Sequence, residues 1–368
     1  MYFLCGWVVV CAQNEMKVQF RSRALLDAAV SGYGKEHAQG YYNLEDFRVG
    51  FKAACGQYEV KADIGLGDEK VAVKDMLFSY YFKHGGVLTL GNGYEPFSMD
   101  MLVSTADLRF HQSSASVLAF TDGRKLGATY HYSGSHCYFA TGFYTNNDIN
   151  TLGSESHKNS FVSTSRIVLR RVDKTHSLFH FGGAFSFRSR HTNVEEGVMK
   201  SMSSAGVTSM FPFPLLEANI SDVSTEVKGL VELLYTAPRF MIQSEYFYDR
   251  LNRTNGRKSY CSHGGYIQGS LLLKGRGFEY DALYGVPGRP ITPQSVELVL
   301  RFNYTDMNDT CSGILGGEEK DISLGVNFYL NRYFGVKFGG SYVWVGNYCN
   351  EFYQKNFLLT QLRLQYVF

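Results

Sequence analysis

The sequence predicts an all-β fold, a transmembrane antiparallel β-barrel of about sixteen strands. Three observations predict it. Apolar and polar residues alternate with period two in one segment after another. The composition favours strands and tight turns: 26 Tyr, 28 Phe and 38 Gly accompany only 7 Pro in 368 residues. Aromatic side chains suit a pleated, half-buried surface, and glycine suits the turns between strands. Short connections also alternate with long ones, as they do in membrane barrels.

The opening segment, Met1 to Ala12, is an apolar run with Val10 and Ala12 at the small-residue positions before Gln13. Residues 1–12 are therefore expected to be a signal peptide, and 13–368 a single barrel domain. No Lys or Arg precedes the run, so the alternative is a frayed first strand. No apolar stretch reaches about 18 residues, which argues against a transmembrane helix.

The strands follow in order. Val18, Phe20, Ser22, Ala24 and Leu26 oppose Lys17, Gln19, Arg21, Arg23 and Asp27. Phe47, Val49, Phe51 and Ala53 oppose Asp46, Arg48, Gly50 and Lys52. After a turn at Cys55-Gly56, Tyr58, Val60, Ala62 and Ile64 oppose Gln57, Glu59, Lys61 and Asp63. Further segments start near Ala72, Val87, Lys125, His136, Ser160, Ser177, Lys228, Phe240 and Gly264. From Ser295, Val296, Leu298, Leu300 and Phe302 oppose Glu297, Val299, Arg301 and Asn303. Segments from Asp321, Val336 and Leu358 complete the set. Strand side chains alternate between faces, so each segment has one greasy and one mostly polar face.

A soluble sandwich would hide the greasy face inside, whereas a membrane barrel turns it to lipid. Charges at mid-strand favour the barrel, as does the closing pattern Leu362, Leu364, Tyr366, Phe368, which resembles an outer-membrane assembly signal. An even strand count places both termini on one side, the periplasm. Long connections such as Asn146 to Asn159, Ser189 to Glu226 and Asn347 to Lys355 are then outer loops. Lys274 to Gln294 holds a possible extra strand, Phe278 to Val286, yet must be a periplasmic connection for the count to close. Cys261, Cys311 and Cys349 fall in outer loops, beyond the reducing cytoplasm, and one pair among them is expected to bond.

The formal net charge of +2 disfavours nucleic acid as a partner. No His-Glu-x-x-His or Gly-x-Ser-x-Gly motif occurs, so enzyme readings find no support. His131 and His136 flank a periplasmic turn, where a surface role is expected rather than metal binding. No metal or cofactor is expected. The polar faces instead carry Arg21, Arg23, Arg48, Lys52, Lys61 and Arg166, with Arg109, Arg124 and Lys125 in or beside the third outer loop. Guanidinium forks match oxyanion geometry. The plainer reading pairs these bases with Asp27, Asp46, Glu59, Asp63, Asp75 and Glu297 as a wall network.

Phe47 to Gly127 resembles the phosphate-selective porin O and P family. The matching pieces are Phe47-Arg48-Val49-Gly50-Phe51-Lys52, Tyr58-Glu59-Val60-Lys61, Val73-Lys74-Asp75, Leu88-Thr89-Leu90-Gly91, Glu95-Pro96-Phe97, Asp107-Leu108 and Gly123-Arg124-Lys125-Leu126-Gly127. Arg23, Asp27, Val326 to Asn331 and Gln361 to Leu364 also match. The resemblance implies a homotrimeric, sixteen-stranded porin of the bacterial outer membrane. Its third outer loop, here Phe97 to Asp122, would narrow the lumen, and small anions such as phosphate would diffuse through. Four places depart from the family's basic pattern: Ser79, Tyr94, Ala106 and the Gln112-Ser113 pair. The alternatives are a non-selective pore, or a non-transport barrel (adhesin or scaffold) with a plugged lumen.

Overall fold

The computed structural model describes residues 15–33, 37–67, 70–151, 160–173, 177–189, 198–351, 353 and 355–368. The expected signal peptide lies outside them. The first strands are β1 (Lys17–Tyr33), β2 (His37–Cys55), β3 (Tyr58–Gly67), β4 (Lys70–Tyr81), β5 (Gly86–Gly93), β6 (Lys125–Ser133), β7 (Cys137–Thr145), β8 (Phe161–Val172) and β9 (Leu178–Ser189). Then come β10 (Val198–Ser204), β11 (Leu216–Thr236), β12 (Phe240–Arg253), β13 (Tyr260–Lys274), β14 (Phe278–Asp281) and β15 (Val286–Pro290). The last are β16 (Val296–Asp309), β17 (Ile314–Tyr329), β18 (Phe334–Val345) and β19 (Phe357–Val367). Two short helices, α1 (Met99–Leu102) and α2 (Ala115–Phe120), lie between β5 and β6.

Sixteen of these strands close an antiparallel barrel, because β1 pairs with both β2 and β19 and β9 pairs with β11. At the seam Asp27 stands opposite Arg363, and the two form a buried fork at 2.6 Å on each arm. The wall is inside-out relative to a soluble protein. Phe143, Ile167, Phe181, Val231, Leu324 and Leu364 are exposed on its outer face. Arg166, Glu232, Asn303 and Arg363 are buried on its inner face. That is the distribution a lipid-facing barrel requires.

Every expected strand is present, and three begin seven or more residues earlier than the alternation alone suggests: β2 at His37, β11 at Leu216 and β17 at Ile314. At the end of the barrel that holds both termini, tight turns join the strands. Gly56 provides the left-handed residue (φ +59°) of the β2–β3 turn, and Asn331 caps the β17–β18 turn through Tyr333 N at 2.8 Å. At the other end the β1–β2 and β16–β17 pairs extend as long ladders, so there the wall lengthens by strand rather than by loop.

The segment from Lys274 to Gln294 adds no strand to the wall. It folds as the separate ribbon β14–β15, and the count closes without it. Cys261, Cys311 and Cys349 are free thiols, contrary to the expected bond. Cys261 sits on β13 under the Tyr248 hydroxyl at 3.3 Å, whereas the Cys349 thiol turns to the Glu318 carbonyl at 3.1 Å. His131 is also not a surface residue. It is buried, bonded to Tyr138 at 3.1 Å and packed edge-on to Tyr284.

Candidate pore and its charged wall

Three segments lie against the inner face of the barrel. The first is the β5–β6 connection, the third outer loop of the sequence reading. Glu245 of β12 fixes its start, accepting from Ser98 Oγ, Met99 N and Asp100 N at 3.1, 2.7 and 3.1 Å. The carboxylate thereby satisfies the first open N–H groups of α1, which helix ends otherwise leave bare. Ser116 of α2 bonds Asn303 and the Tyr304 carbonyl at 2.9 and 2.8 Å. Wall cations then hold the loop's carbonyls. Lys337 takes Ala106 and Leu108, Arg301 takes Gln112 at 3.0 Å, and Lys228 takes Phe120 at 3.0 Å.

The second segment runs from β10 to the start of β11. Ser204 donates to the Ala115 carbonyl at 3.0 Å, Gln112 to Gly206 at 2.6 Å and Gln361 to Val207 at 3.1 Å. Val207, Leu215 and Leu216 join Phe97, Phe120, Phe247 and Phe357 in one apolar cluster. The third segment is the β14–β15 ribbon, entering from the tight-turn end. Arg166, held by Glu232 at 2.9 Å, donates to the Tyr284 and Gly285 carbonyls at 2.7 and 2.8 Å. Gly285 is left-handed (φ +64°) at this close approach to Arg166 and Tyr138. Phe278 and Val286 pack on Met99, Met241 and Leu272.

These segments leave a cavity of about 1130 Å³ along β1–β4. Arg21, Arg23, Arg48, Lys52, Lys61 and Arg124 line it, six of the nine bases expected from the sequence. Their ion pairs interlock. Arg23 and Arg48 share Asp46, with Arg48 at 3.3 Å. Lys61 and Arg124 share Asp75 at 2.6 and 2.5 Å, and Lys61 and Arg21 share Asp63 at 3.6 and 3.9 Å. Lys52 pairs with Glu59 at 2.8 Å. Arg23 also donates to Ser104 of the third loop at 2.7 Å. Arg124 lies 4.3 Å over the Tyr94 ring. Arg48 Nε is buried with no hydrogen-bond partner.

The other three expected bases stand elsewhere. Lys125 lines a separate cavity of about 280 Å³ with Asp122 and Lys200. Arg166 clamps the ribbon. Arg109 is buried against Glu297 at 2.9 Å and donates to the Gly288 carbonyl at 2.6 Å. Sequence reasoning missed the clamps Lys228, Arg188 and Lys337. Their place on polar strand faces was visible, but their loop partners, such as Ala106 for Lys337, are far away in the chain. Among the described residues no cluster of His, Cys, Asp and Glu is arranged for a metal.

A lipid-facing barrel of sixteen strands with a polar, loop-filled interior defines the class of outer-membrane porins. The chain belongs to one family within it: residues 13–368 match the model of the phosphate-selective porin O and P family. No curated protein matches it in sequence. Among solved structures it is similar to the trimer form of OmpT, an outer membrane protein of Vibrio cholerae, with TM-score 0.62 and 11% identity over 96% of this chain and 99% of that one. It is similar to the anion-selective porin from Comamonas acidovorans, with TM-score 0.61 and 9% identity over 96% and 100%. OprB of Pseudomonas putida follows, with TM-score 0.56 and 11% identity over 95% and 94%. These identities speak for the fold. The chain is an outer-membrane porin, and the bacterial outer membrane is its location.

Proposed function

We propose that this porin passes small anions, phosphate among them, by diffusion along the β1–β4 wall. The observation that carries this is the imbalance in the shared ion pairs. Arg21, Arg23, Arg48, Lys61 and Arg124 divide only Asp46, Asp63 and Asp75 among them. Two positive charges are therefore left over within these shared pairs. Binding at such a site must stay weak enough for the ion to leave. Glu45, Asp100, Asp107, Glu279 and Asp281 also line the cavity and outnumber that surplus, so the anion bias rests on the local clustering of the bases along β1–β4.

On this reading the third loop narrows the lumen, because its clamps hold it against β11–β18 and, among the described residues, leave passage beside β1–β4. The protein forms a homotrimer in outer-membrane lipid, with both termini in the periplasm. It performs no bond chemistry. A plugged, non-transport barrel has one observation in its favour, the three inward segments. Single-channel recording separates the two. A steady open conductance with an anion-sided reversal potential supports the pore, and no conductance from correctly folded protein supports the scaffold.

A further inference from the structure

The third loop carries apolar side chains towards both the wall and the cavity. Met99, Val117 and Phe120 are buried towards the wall, as loop anchors should be. Yet Met101, Leu102, Val103 and Leu118 are only half-buried and line the cavity. Apolar side chains left facing water gain free energy when an apolar body covers them. This strip does not stand apart from the charged wall. It runs directly into Ser104, whose Oγ accepts from Arg23 at 2.7 Å. The cavity thus joins an apolar shelf to a guanidinium. Its volume of about 1130 Å³ lies just above the roughly 300–1,000 Å³ that holds drug-sized ligands.

We infer that the pore favours organic anions, with a carboxylate or phosphate head on an apolar or aromatic body, over inorganic phosphate. The head takes the donors of Arg23 and Arg48, and the body covers Met101, Leu102 and Leu118. This deepens the anion-pore reading and rests on it. It adds a recognition element that charge alone does not supply, since an inorganic ion gains nothing from the shelf.

The test compares two blockers of chloride current through the purified porin in planar bilayers, phenyl phosphate and inorganic phosphate, at a pH where both are dianions. Phenyl phosphate is expected to half-block at a concentration about tenfold lower, the factor for covering roughly half a phenyl ring. Leu102→Asn and Leu118→Asn should each bring the two concentrations closer together. Inorganic phosphate serves as the reference within each variant, so a change in channel number cancels. Equal block by the two ions in the wild type, with chloride still preferred over potassium, overturns the apolar shelf and leaves the anion pore standing. A wild-type preference for potassium overturns both.

Discussion

Arg48 lines the cavity on the β1–β4 wall, whereas Arg109 is buried away from it against Glu297 and the Gly288 carbonyl. The two arginines should therefore answer different measurements. Arg48→Gln is expected to lower the anion-to-cation permeability ratio at dilute salt while leaving thermal stability unchanged. Arg109→Ala should do the reverse. It strands a buried carboxylate, at a cost of about 3–5 kcal/mol, and should lower the melting temperature. A lower permeability ratio from Arg109→Ala without loss of stability would contradict this division. The sequence places Arg109, Arg124 and Lys125 in or beside the third outer loop, the segment expected to narrow the lumen. Strand parity puts Arg21, Arg23, Arg48, Lys52 and Lys61 on the inner face, where they line the cavity. Parity has no counterpart in a loop, so which way Arg109 turns depends on Glu297, far along the chain. His111, on the same loop, is held neutral: burial pushes its pKa well down, and the Arg363, Lys337 and Arg301 cations push it further. In the unfolded chain it would take up a proton below about pH 6.5. The unfolded state then binds more protons, so stability falls as pH drops through that value. Loop-closure events in single-channel records should become more frequent at pH 5 than at pH 8, and His111→Asn should remove the difference.

At the scale of the element, the third loop owes its place to a few buried polar anchors. Glu245 accepts the opening amides of α1 and the Tyr266 hydroxyl at 2.9 Å. Glu245→Ala leaves those donors bare, at about 1–3 kcal/mol each when buried. The expected result is noisier single-channel conductance with more frequent closures as the loop swings from the wall towards the β1–β4 passage, and an unchanged conductance would mean the anchor is dispensable. The sixteen wall strands were legible, since lipid on one side and water on the other impose a strict period of two, but β10 and the start of β11 lay inside the segment read as the outer loop Ser189 to Glu226. What alternation could not reveal is where connections fold. The ribbon β14–β15 reads locally as one extra strand, Phe278 to Val286, and its contacts with Arg166 and Met241 place it inside the barrel. The cysteines misled for the same reason: a shared loop region says little about whether two thiols meet. Orientation can be tested on these same elements. A single cysteine placed at Tyr348, in the β18–β19 connection, should be labelled on whole cells, and one at Asn331, in the β17–β18 turn, should not. The opposite pattern would invert the barrel.

For the whole molecule, the inner wall divides into two parts. From β8 to β18 its bases clamp the inserted segments, and along β1–β4 they face open volume. Net charge alone, at +2, gives almost no selectivity, so any preference must come from this placement. A unit pair at about 4 Å is worth about 4 kcal/mol at an effective dielectric of about 20, before desolvation. Salt screens the effect, with a Debye length of about 8 Å at physiological strength and about 3 Å at 1 M. The reversal potential of the wild-type channel in a dilute potassium chloride gradient is therefore the most direct measurement. The β1–β4 wall predicts a potential of the sign set by chloride, shrinking towards zero as both solutions approach about 1 M. A potential of the sign set by potassium would contradict the proposed pathway and leave only the barrel.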